Sequence, residues 1–589
     1  MMRALLVIVL CFVFECFAGG PLLVTASGPV RWARREISGG PLKTTTVDAQ
    51  ARVVYRVDSG PLGPLSNAQA VKLVDRIFKL YNDIPTCTLE FVNGGSILDP
   101  ATGRPIDITG ANAGLVLSSR NPTFQNPIVF DSDGSITGQG GVLGFFSFLQ
   151  VKGLELHEGL VVLNGSAVSR IGEIPFLGVF THEFGHFAGP LDHSQINGWI
   201  ASGDSRLVFE GFTAEQRYDL FAPFTETVYP FLFSNNSSRL ASLGFGNSGY
   251  FIASLHFDDV VAMSTLYPAA GYLPSESGSP FGGISGRIIV DPLLKIPLSG
   301  LNVVARRVDR GRYPPSPTTK VYLNDSVPLD ADGVPLLPED RPELDPLATA
   351  TSLVNGMLAP DGRFAFVGLP PGEYSVYVET INPNALGGSS IGFREPQLSF
   401  ITAEYWNGQN ESADPATDKP LDFTPVKVTA GAVTTGIEIL LNGFATTVAS
   451  NEAEPNDKVK KAQVVAVDSI LTGQVAVGDK AKVKVDFGRS GSVDVQDLYK
   501  VQVSANSVLL LMLDALEGTS DADIDLYCFL SDLKNGTVSI NSQTVLGASF
   551  SPANSEVITV GVAPGTYFLG VSSAAGSAKY RLAVYRKKN

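Results

Sequence analysis

The chain has 589 residues, a formal net charge of −15 and a charged fraction of only 17%, with 60 glycines and 38 prolines. A chain of this length is expected to form roughly three or four domains of about 150 residues each. Phosphate binding needs clustered Lys and Arg, and basic runs such as RWARR at 31–35 are few and short. The composition therefore argues against a nucleic-acid partner.

The first 26 residues have the pattern of a secretory signal peptide. One Arg precedes an apolar run from Ala4 to about Phe17, and small residues follow, with cleavage expected after Ala18 or Ala26. Later apolar runs fall short of the roughly 20 residues that a membrane helix needs. We therefore expect a secreted protein without a transmembrane span, in which residues 27–48 form a linker or a short propeptide.

Residues 49–272 mix helical and strand patterns, which predicts an α+β domain. Apolar residues recur at helical spacing in 65–83, where Ser66 or Asn67 is the expected cap. Further helices are predicted at 174–189 and 258–268, and strands at ARVVYRVD, CTLEFV and NPIVFD. A stretch with the composition of a linker follows at 273–283.

The rest of the chain has strand patterns only. Its main strand segments are GISGRIIV, LNVVARRV and GRFAFVGLPPGEYSVYVETI in 284–446, and VLLLMLDAL and APGTYFLGV in 452–589. Tyr374, Val376 and Val378 alternate with Ser375, Tyr377 and Glu379, which is the period of a half-buried strand. Two all-β sandwich domains are therefore expected after the α+β domain, and each carries a PGxY turn.

The stretch THEFGHFAGPLDHSQ, 181–195, holds three of the five histidines in the chain. On a helix, His182 and His186 lie on one face because they are four residues apart, so both can bind one metal ion. Glu183 lies one step round the helix, where its carboxylate can act as general base on a zinc-bound water. The pattern predicts a catalytic Zn²⁺ site. The alternative is a chance HExxH whose histidines are ordinary hydrogen-bonded core residues.

This stretch resembles the metzincin metalloproteases, and among them the matrixins, whose pattern is HExxHxxGxxH. The resemblance implies an α/β/α domain and a third zinc ligand beyond the glycine. One extra residue, Pro190, precedes LDHS in this chain. Matching the LDHS tetrapeptide makes His193 the third ligand, which we expect, whereas strict spacing makes it Asp192.

Two further segments carry the same resemblance. LHFDDVVAMSTLYP is similar to the C-terminal helix of matrixins, and GGVLGFFSF at 140–148 is similar to their substrate-pairing strand, which implies peptide binding by strand addition. Two features depart from the family. TVYP at 227–230 has Val228 where the family's turn has methionine, and the cysteine-switch segment of matrixins is missing.

The two β regions resemble other extracellular modules. The middle one resembles the carboxypeptidase regulatory-like sandwich, and the last one resembles the bacterial pre-peptidase C-terminal domain, through EAEPND at 452–457, DIDLY and APGTYFLGV. Relatives of the latter bind calcium through an ExExND run and a later DxxD pair. The resemblance implies a structural Ca²⁺ site at the matching residues, which are Glu452, Glu454, Asn456, Asp457, Asp494 and Asp497. The alternative is a solvated turn with surface aspartates.

The expected architecture is multidomain, with an α+β (α/β/α) metzincin-like catalytic domain followed by two all-β sandwich domains. The expected function is that of a secreted zinc endopeptidase acting on a protein or peptide, in which Glu183 activates a zinc-bound water. The β domains would hold it at an extracellular polymer or surface, or stabilise it there. One alternative is a secreted binding or adhesion protein with a catalytically idle metzincin-like domain, which Pro190 and the missing turn methionine favour. Another is a zinc amidase acting on a non-protein amide.

Overall fold

The fold was obtained as a computed structural model, which describes most of the chain. The described residues are 24–25, 28–138, 141–191, 227–228, 232, 252–253, 255–298, 302–307, 347–351, 362–379, 404–419, 422–550 and 555–586. We refer to 24–272 as the N-terminal unit, to 282–446 as the middle unit and to 448–586 as the C-terminal unit. None of the helices in the described ranges is long and apolar enough to cross a membrane.

The N-terminal unit combines helices with a mixed sheet. Its strands are β1 (Val24–Thr25), β2 (Gly28–Pro29), β3 (Arg31–Trp32), β4 (Ile37–Gly39), β5 (Thr44–Val47), β6 (Val53–Val57), β7 (Phe91–Ser96), β8 (Pro127–Asp131), β9 (Gly144–Lys152) and β10 (Glu155–Asn164). Its helices, within the described ranges, are α1 (Asn67–Asn82), α2 (Gly165–Ile171), α3 (Glu173–Ala188) and α4 (Phe257–Leu266). Strands β3 to β10 form one sheet. Within it β7, β6, β8 and β10 are successive parallel neighbours, and β9 pairs antiparallel with β10.

The three helices predicted from sequence are confirmed as α1, α3 and α4. Helix α1 begins after Ser66, and the backbone N–H of Ser66 donates to the side chain of Gln69, as in a capping box. Its buried residues, Ala70, Val74, Ile77, Phe78 and Tyr81, follow the helical period and face α3 and the sheet. Helix α3 packs against α1 and against strands β9 and β10 of the sheet, so almost every residue of α3 is buried.

The segment assigned to a linker or short propeptide is built into the sheet. Strand β3 pairs parallel with β10, and β4 and β5 form an antiparallel pair that joins β6. Val30 and Trp32 are buried in the same core as α1 and α3. The polar composition of 27–48 hid these contacts, because each strand is only two to four residues long.

The predicted strand CTLEFV is only partly correct, because β7 begins at Phe91. Cys87 instead forms an isolated bridge with Pro268, and the backbone N–H of Thr88 donates to the carbonyl of Tyr267 at 2.8 Å. Thr86, Cys87 and Thr88 therefore pair with the chain that leaves α4, and contact with the sheet begins at Glu90, whose carbonyl accepts from Val53.

The middle unit is a β-sandwich. Its strands are β11 (Gly282–Val290), β12 (Ile296–Pro297), β13 (Asn302–Arg307), β14 (Leu347–Thr351), β15 (Arg363–Leu369), β16 (Gly372–Glu379), β17 (Glu404–Tyr405), β18 (Val426–Val428) and β19 (Val433–Leu440). Strands β11, β12, β15 and β19 form one sheet, and β13, β14, β16, β17 and β18 form the other. Strand β16 was predicted to be half-buried, but Tyr377 on its second face is also buried, because it stacks on Tyr405 at 4.5 Å.

The C-terminal unit has two five-stranded sheets and a smaller one. Its strands are β20 (Val448–Asn451), β21 (Gln463–Val465), β22 (Ser469–Ala476), β23 (Val483–Asp486), β24 (Ser492–Val495), β25 (Asp497–Val503), β26 (Ser507–Gly518), β27 (Asp523–Phe529), β28 (Gly536–Ser539), β29 (Val545–Ser549), β30 (Ser555–Val562), β31 (Gly565–Ala575) and β32 (Ser577–Arg586). The sheets run β20-β22-β32-β26-β30, β21-β25-β31-β27-β29 and β24-β23-β28. Residues from the first two sheets share one apolar core, as in a sandwich.

The apolar segment VLLLMLDAL is buried on both faces of β26. Leu509, Leu511 and Leu513 point into the core of the C-terminal unit. Leu510 and Met512 belong to the core of the middle unit. The run lacks alternation because each face of the strand packs against a different apolar core.

The repeated PGxY segments use their tyrosines in the same way. The hydroxyl of Tyr374 donates to the carbonyl of Pro370 at 2.9 Å, and that of Tyr567 donates to the carbonyl of Ala563 at 2.8 Å. In both units the tyrosine therefore ties its strand back to the turn four residues earlier.

Replacing Glu158 by Gln is expected to stabilise the protein at pH 8. Glu158 on β10 is fully buried, and its Oε2 has no hydrogen-bond partner within the described ranges. Burial raises its pKa above the ordinary value of 4.5, so the unfolded chain releases this proton more easily and stability falls as pH rises above 4.5. The Gln side chain keeps the Oε1 acceptor for Thr123 and Gln125 without the buried charge.

Chemical denaturation at pH 5 and pH 8 measures this effect. We expect the variant to gain about 1–2 kcal/mol over the native chain at pH 8 and less at pH 5. Glu155→Gln on the same strand is the matched control, because Glu155 is exposed and pairs with Arg35, and it should change stability by less than about 1 kcal/mol. A Glu158→Gln variant less stable than the native chain at pH 8 would refute this account.

Candidate metal centre and acidic cluster

Helix α3 brings His182 and His186 together at one point. Their Nε2 atoms are 3.2 Å apart, and one Glu183 carboxylate oxygen lies within 4.8 Å of a nitrogen on each ring. Two nitrogens bound to one tetrahedral zinc ion at about 2.0–2.1 Å would be about 3.3 Å apart. The pair therefore fits zinc geometry.

Backbone carbonyls fix the orientation of both rings. The Nδ1 of His182 lies 3.1 Å from the carbonyl of Thr227, and the Nδ1 of His186 lies 2.6 Å from the carbonyl of Leu191. A carbonyl can only accept, so each Nδ1 carries the hydrogen and each Nε2 presents a lone pair. Such outer contacts set the tautomer of metal-binding histidines.

The Nε2 lone pairs of His182 and His186 thus point to the same place beside the buried helix α3. Burial lowers the pKa of His186 to about 4, which keeps the imidazole neutral, as a metal ligand must be. Burial also raises the pKa of Glu183 to about 8. A cation at this place would favour the ionised carboxylate, because opposite charges stabilise each other at short range.

Strand β9 begins directly above Glu183. A Cβ atom at position 144 would lie 2.9 Å from Cγ of Glu183, so only glycine allows the strand this close. Among the described strands, β9 pairs with β10 alone. Phe146 on this strand lies near the histidine pair, with its ring 6.5 Å from that of His186.

The opposite side of α3 is closely packed. A Cβ atom at Gly185 would lie 2.9 Å from Cγ1 of Val228 and 3.2 Å from the hydroxyl of Tyr81. That hydroxyl donates to the carbonyl of Thr181, next to His182. Val228, at the position where the metzincin turn has methionine, is thus buried beneath the helix.

The predicted third zinc ligand lies outside the described residues. This applies both to His193 and to its alternative, Asp192. The described chain after α3 reaches Leu191, whose N–H donates to the carbonyl of Gly185 at 3.3 Å. The helix thus ends as the Gly-Pro pair predicted, and the chain turns back beside His186.

A second group of oxygen donors forms between the segment that follows β20 and the start of β25. One carboxylate oxygen each from Glu452, Glu454 and Asp497 lies within 4.8 Å of the others. Asn456 is fully buried beside them, and its Oδ1 has no hydrogen-bond partner within the described ranges. Three carboxylates and an unsatisfied amide oxygen are the hard oxygen donors that calcium prefers.

Two tyrosines complete this acidic cluster. The hydroxyl of Tyr499 donates to Glu452 at 2.7 Å, and that of Tyr580 donates to Asp497 at 2.7 Å. Burial, and next the nearby charge of Glu452, raise the pKa of Asp497 to about 8. Neither tyrosine was predicted as part of this group, because both lie far along the chain from the EPND turn.

The other two calcium candidates lie outside this three-carboxylate group. Asp494 on β24 is partly exposed and pairs with Lys484 at 2.8 Å. Asp457 is half-buried and is not one of the three clustered carboxylates. Of the six predicted residues, the structure thus gathers Glu452, Glu454, Asn456 and Asp497.

Comparison with known proteins gives distant structural similarity only. The chain matches no protein-family profile and no curated protein. The pre-peptidase C-terminal domain of a collagenase from Bacillus anthracis is 14% identical, with 23% of this chain and 99% of that one covered and a TM-score of 0.16. PliG, a periplasmic inhibitor of g-type lysozyme from Aeromonas hydrophila, is 12% identical, with coverages of 24% and 100% and a TM-score of 0.14.

A third similar structure is a carbohydrate-binding module of lichenase 5A from Cellvibrio mixtus. It is 14% identical, with 20% of this chain and 96% of that one covered and a TM-score of 0.11. At these identities and TM-scores the similarities carry no argument about what this chain does.

Proposed function

We propose that the chain is a secreted, zinc-dependent endopeptidase of the metzincin type. The observation that carries the proposal is the convergence of two Nε2 lone pairs, from His182 and His186, at 3.2 Å beside the Glu183 carboxylate. A hydrogen-bonded pair of core histidines would instead have a donor facing an acceptor, and here both donors are occupied by carbonyls.

Bound zinc would supply positive charge that polarises the scissile carbonyl and makes water more acidic. Glu183 accepts a proton from the attacking water, whose oxygen forms the new bond to the carbonyl carbon. Glu183 then gives that proton to the amine nitrogen as the carbon–nitrogen bond breaks. Its burial favours this role, because a carboxylate that is easily protonated can carry the proton between the two steps.

Strand β9 supports binding of an extended peptide. In the described part of the chain its outer edge has no paired strand, and its first residue lies against Glu183. A substrate strand added at this edge would pass the histidine pair with its backbone hydrogen-bonded to β9. We further propose that the β units attach the enzyme to an extracellular polymer or surface, with calcium at the acidic cluster.

Cleavage of unfolded casein by the purified secreted form tests the proposal. We expect cleavage that stops after zinc is removed with 1,10-phenanthroline and returns when one equivalent of zinc is added. A protein that holds one zinc ion but cleaves no casein would contradict it. The binding or adhesion function would then be favoured, in keeping with the inserted Pro190 and with Val228 in place of methionine.

A further inference from the structure

Strand β3 supplies hydrogen-bond donors to the carboxyl ends of two helices. The indole Nε1 of Trp32 donates to the carbonyl of Phe187 in α3 at 2.7 Å. The guanidinium of Arg31 donates to the carbonyl of Leu266 in α4 at 3.2 Å. The last carbonyls of a helix lack partners within the helix and form its negative end, so donors here stabilise the final turn.

The hydrogen bond from the indole of Trp32 reaches α3 one residue beyond His186, a proposed zinc ligand. Phe187 directly follows His186, and the carbonyl of Gly185 on the other side accepts from Leu191. His186 is therefore flanked by two anchored carbonyls, and its own Nδ1 donates to Leu191. Without Trp32, the carbonyl of Phe187 would be left buried with one donor fewer at the end of the helix.

Packing reinforces the bond. Trp32 is only 1% exposed, and its ring lies 5.1 Å from that of Phe187. The backbone N–H of Trp32 donates to the hydroxyl of Tyr267, just beyond α4, at 2.9 Å. Phe187 thus holds the indole through both its ring and its carbonyl, whereas Tyr267 binds only the backbone of Trp32.

We propose that Trp32 is a positioning residue for the zinc ligand His186, which makes the N-terminal strand part of the metal centre. This inference rests on the proposed function. Residues that orient metal ligands from outside the first layer commonly change metal affinity by 10–100-fold. We therefore expect loss of the indole donor to weaken zinc binding by about tenfold.

The test compares Trp32→Phe with Tyr267→Phe. Trp32→Phe removes the indole donor to the carbonyl of Phe187 in α3. Tyr267→Phe removes a buried hydroxyl that accepts from the backbone of Trp32, and it leaves the bond to α3 in place. Zinc dissociation constants come from competition with a chelator, and Co²⁺-loaded protein reports ligand geometry through its visible spectrum. We expect weaker zinc binding and an altered cobalt spectrum for Trp32→Phe only, even if both variants lose similar thermal stability.

A second measurement needs no folded Trp32 variant. The chain has three tryptophans, so ¹⁵N-Trp labelling gives three indole N–H resonances. Trp199→Phe and Trp406→Phe identify the one from Trp32, which should shift when zinc is added. The inference would be overturned if Trp32→Phe bound zinc as tightly as the native chain. If that variant does not fold, a Trp32 resonance that zinc leaves unmoved in the native chain would overturn it. Failure of the native chain to bind zinc would instead overturn the proposed function.

Discussion

Replacing Glu183 by Gln is expected to lower kcat for casein cleavage by about 10²–10⁴-fold, the usual contribution of a positioned general base. Gln has nearly the same size as Glu, so it fits beneath Gly144 without a new cavity. It cannot accept the proton of the attacking water. The histidine pair is unchanged, so the variant should still bind one equivalent of zinc.

The measurement is kcat at matched zinc content, with metal determined by mass spectrometry. Glu173→Gln is the control, because Glu173 is an exposed carboxylate in the first turn of the same helix. It should cleave casein at the native rate. If Glu183→Gln retained more than about a tenth of native kcat with full zinc, the assignment of Glu183 as general base would be wrong.

Calcium is expected to stabilise the C-terminal unit by about 3 kcal/mol when its concentration is about 100 times the dissociation constant. The three clustered carboxylates repel one another when ionised, so a bound cation is expected to stabilise all three at once. Asp497→Asn removes the most deeply buried of the three carboxylates and should abolish the calcium effect.

Thermal unfolding with EGTA and with 1 mM calcium measures the effect. Asp494→Asn is the matched control, since Asp494 pairs with Lys484 outside the cluster and should leave the calcium response intact. An unfolding temperature that does not respond to calcium in the native chain would remove the case for this site. A lost response in Asp494→Asn would show that Asp494 belongs to the calcium site as well, against the assignment to the three clustered carboxylates alone.

Periodic segments with strong local signals were predictable. Helix α1 has an apolar face and a capping serine, and β15 and β16 flank a Pro-Gly turn, so their bounds follow closely from local sequence. The pairing of His182 with His186 was predictable for the same reason, because four residues on a helix bring two side chains to one face.

Contacts between distant residues were not predictable. Trp32 and Phe187 are 155 residues apart, and nothing in RWARR indicates that its tryptophan reaches α3. Asp494 matched a calcium motif by spacing, yet β24 pairs it with Lys484 on the neighbouring strand. Sequence spacing predicts neighbours within an element, whereas the sheet register decides which side chains meet across elements.

Strand β26 limits where the chain can be cut between its two β units. One face of the strand completes the core of the middle unit, together with Ile470 and Tyr585, and Asp291 accepts from the hydroxyl of Tyr585. A cut near 446 that released the C-terminal unit would uncover this apolar surface on the piece left behind. A soluble mature form is therefore expected to keep both β units or to lose both, with the cut falling before β11.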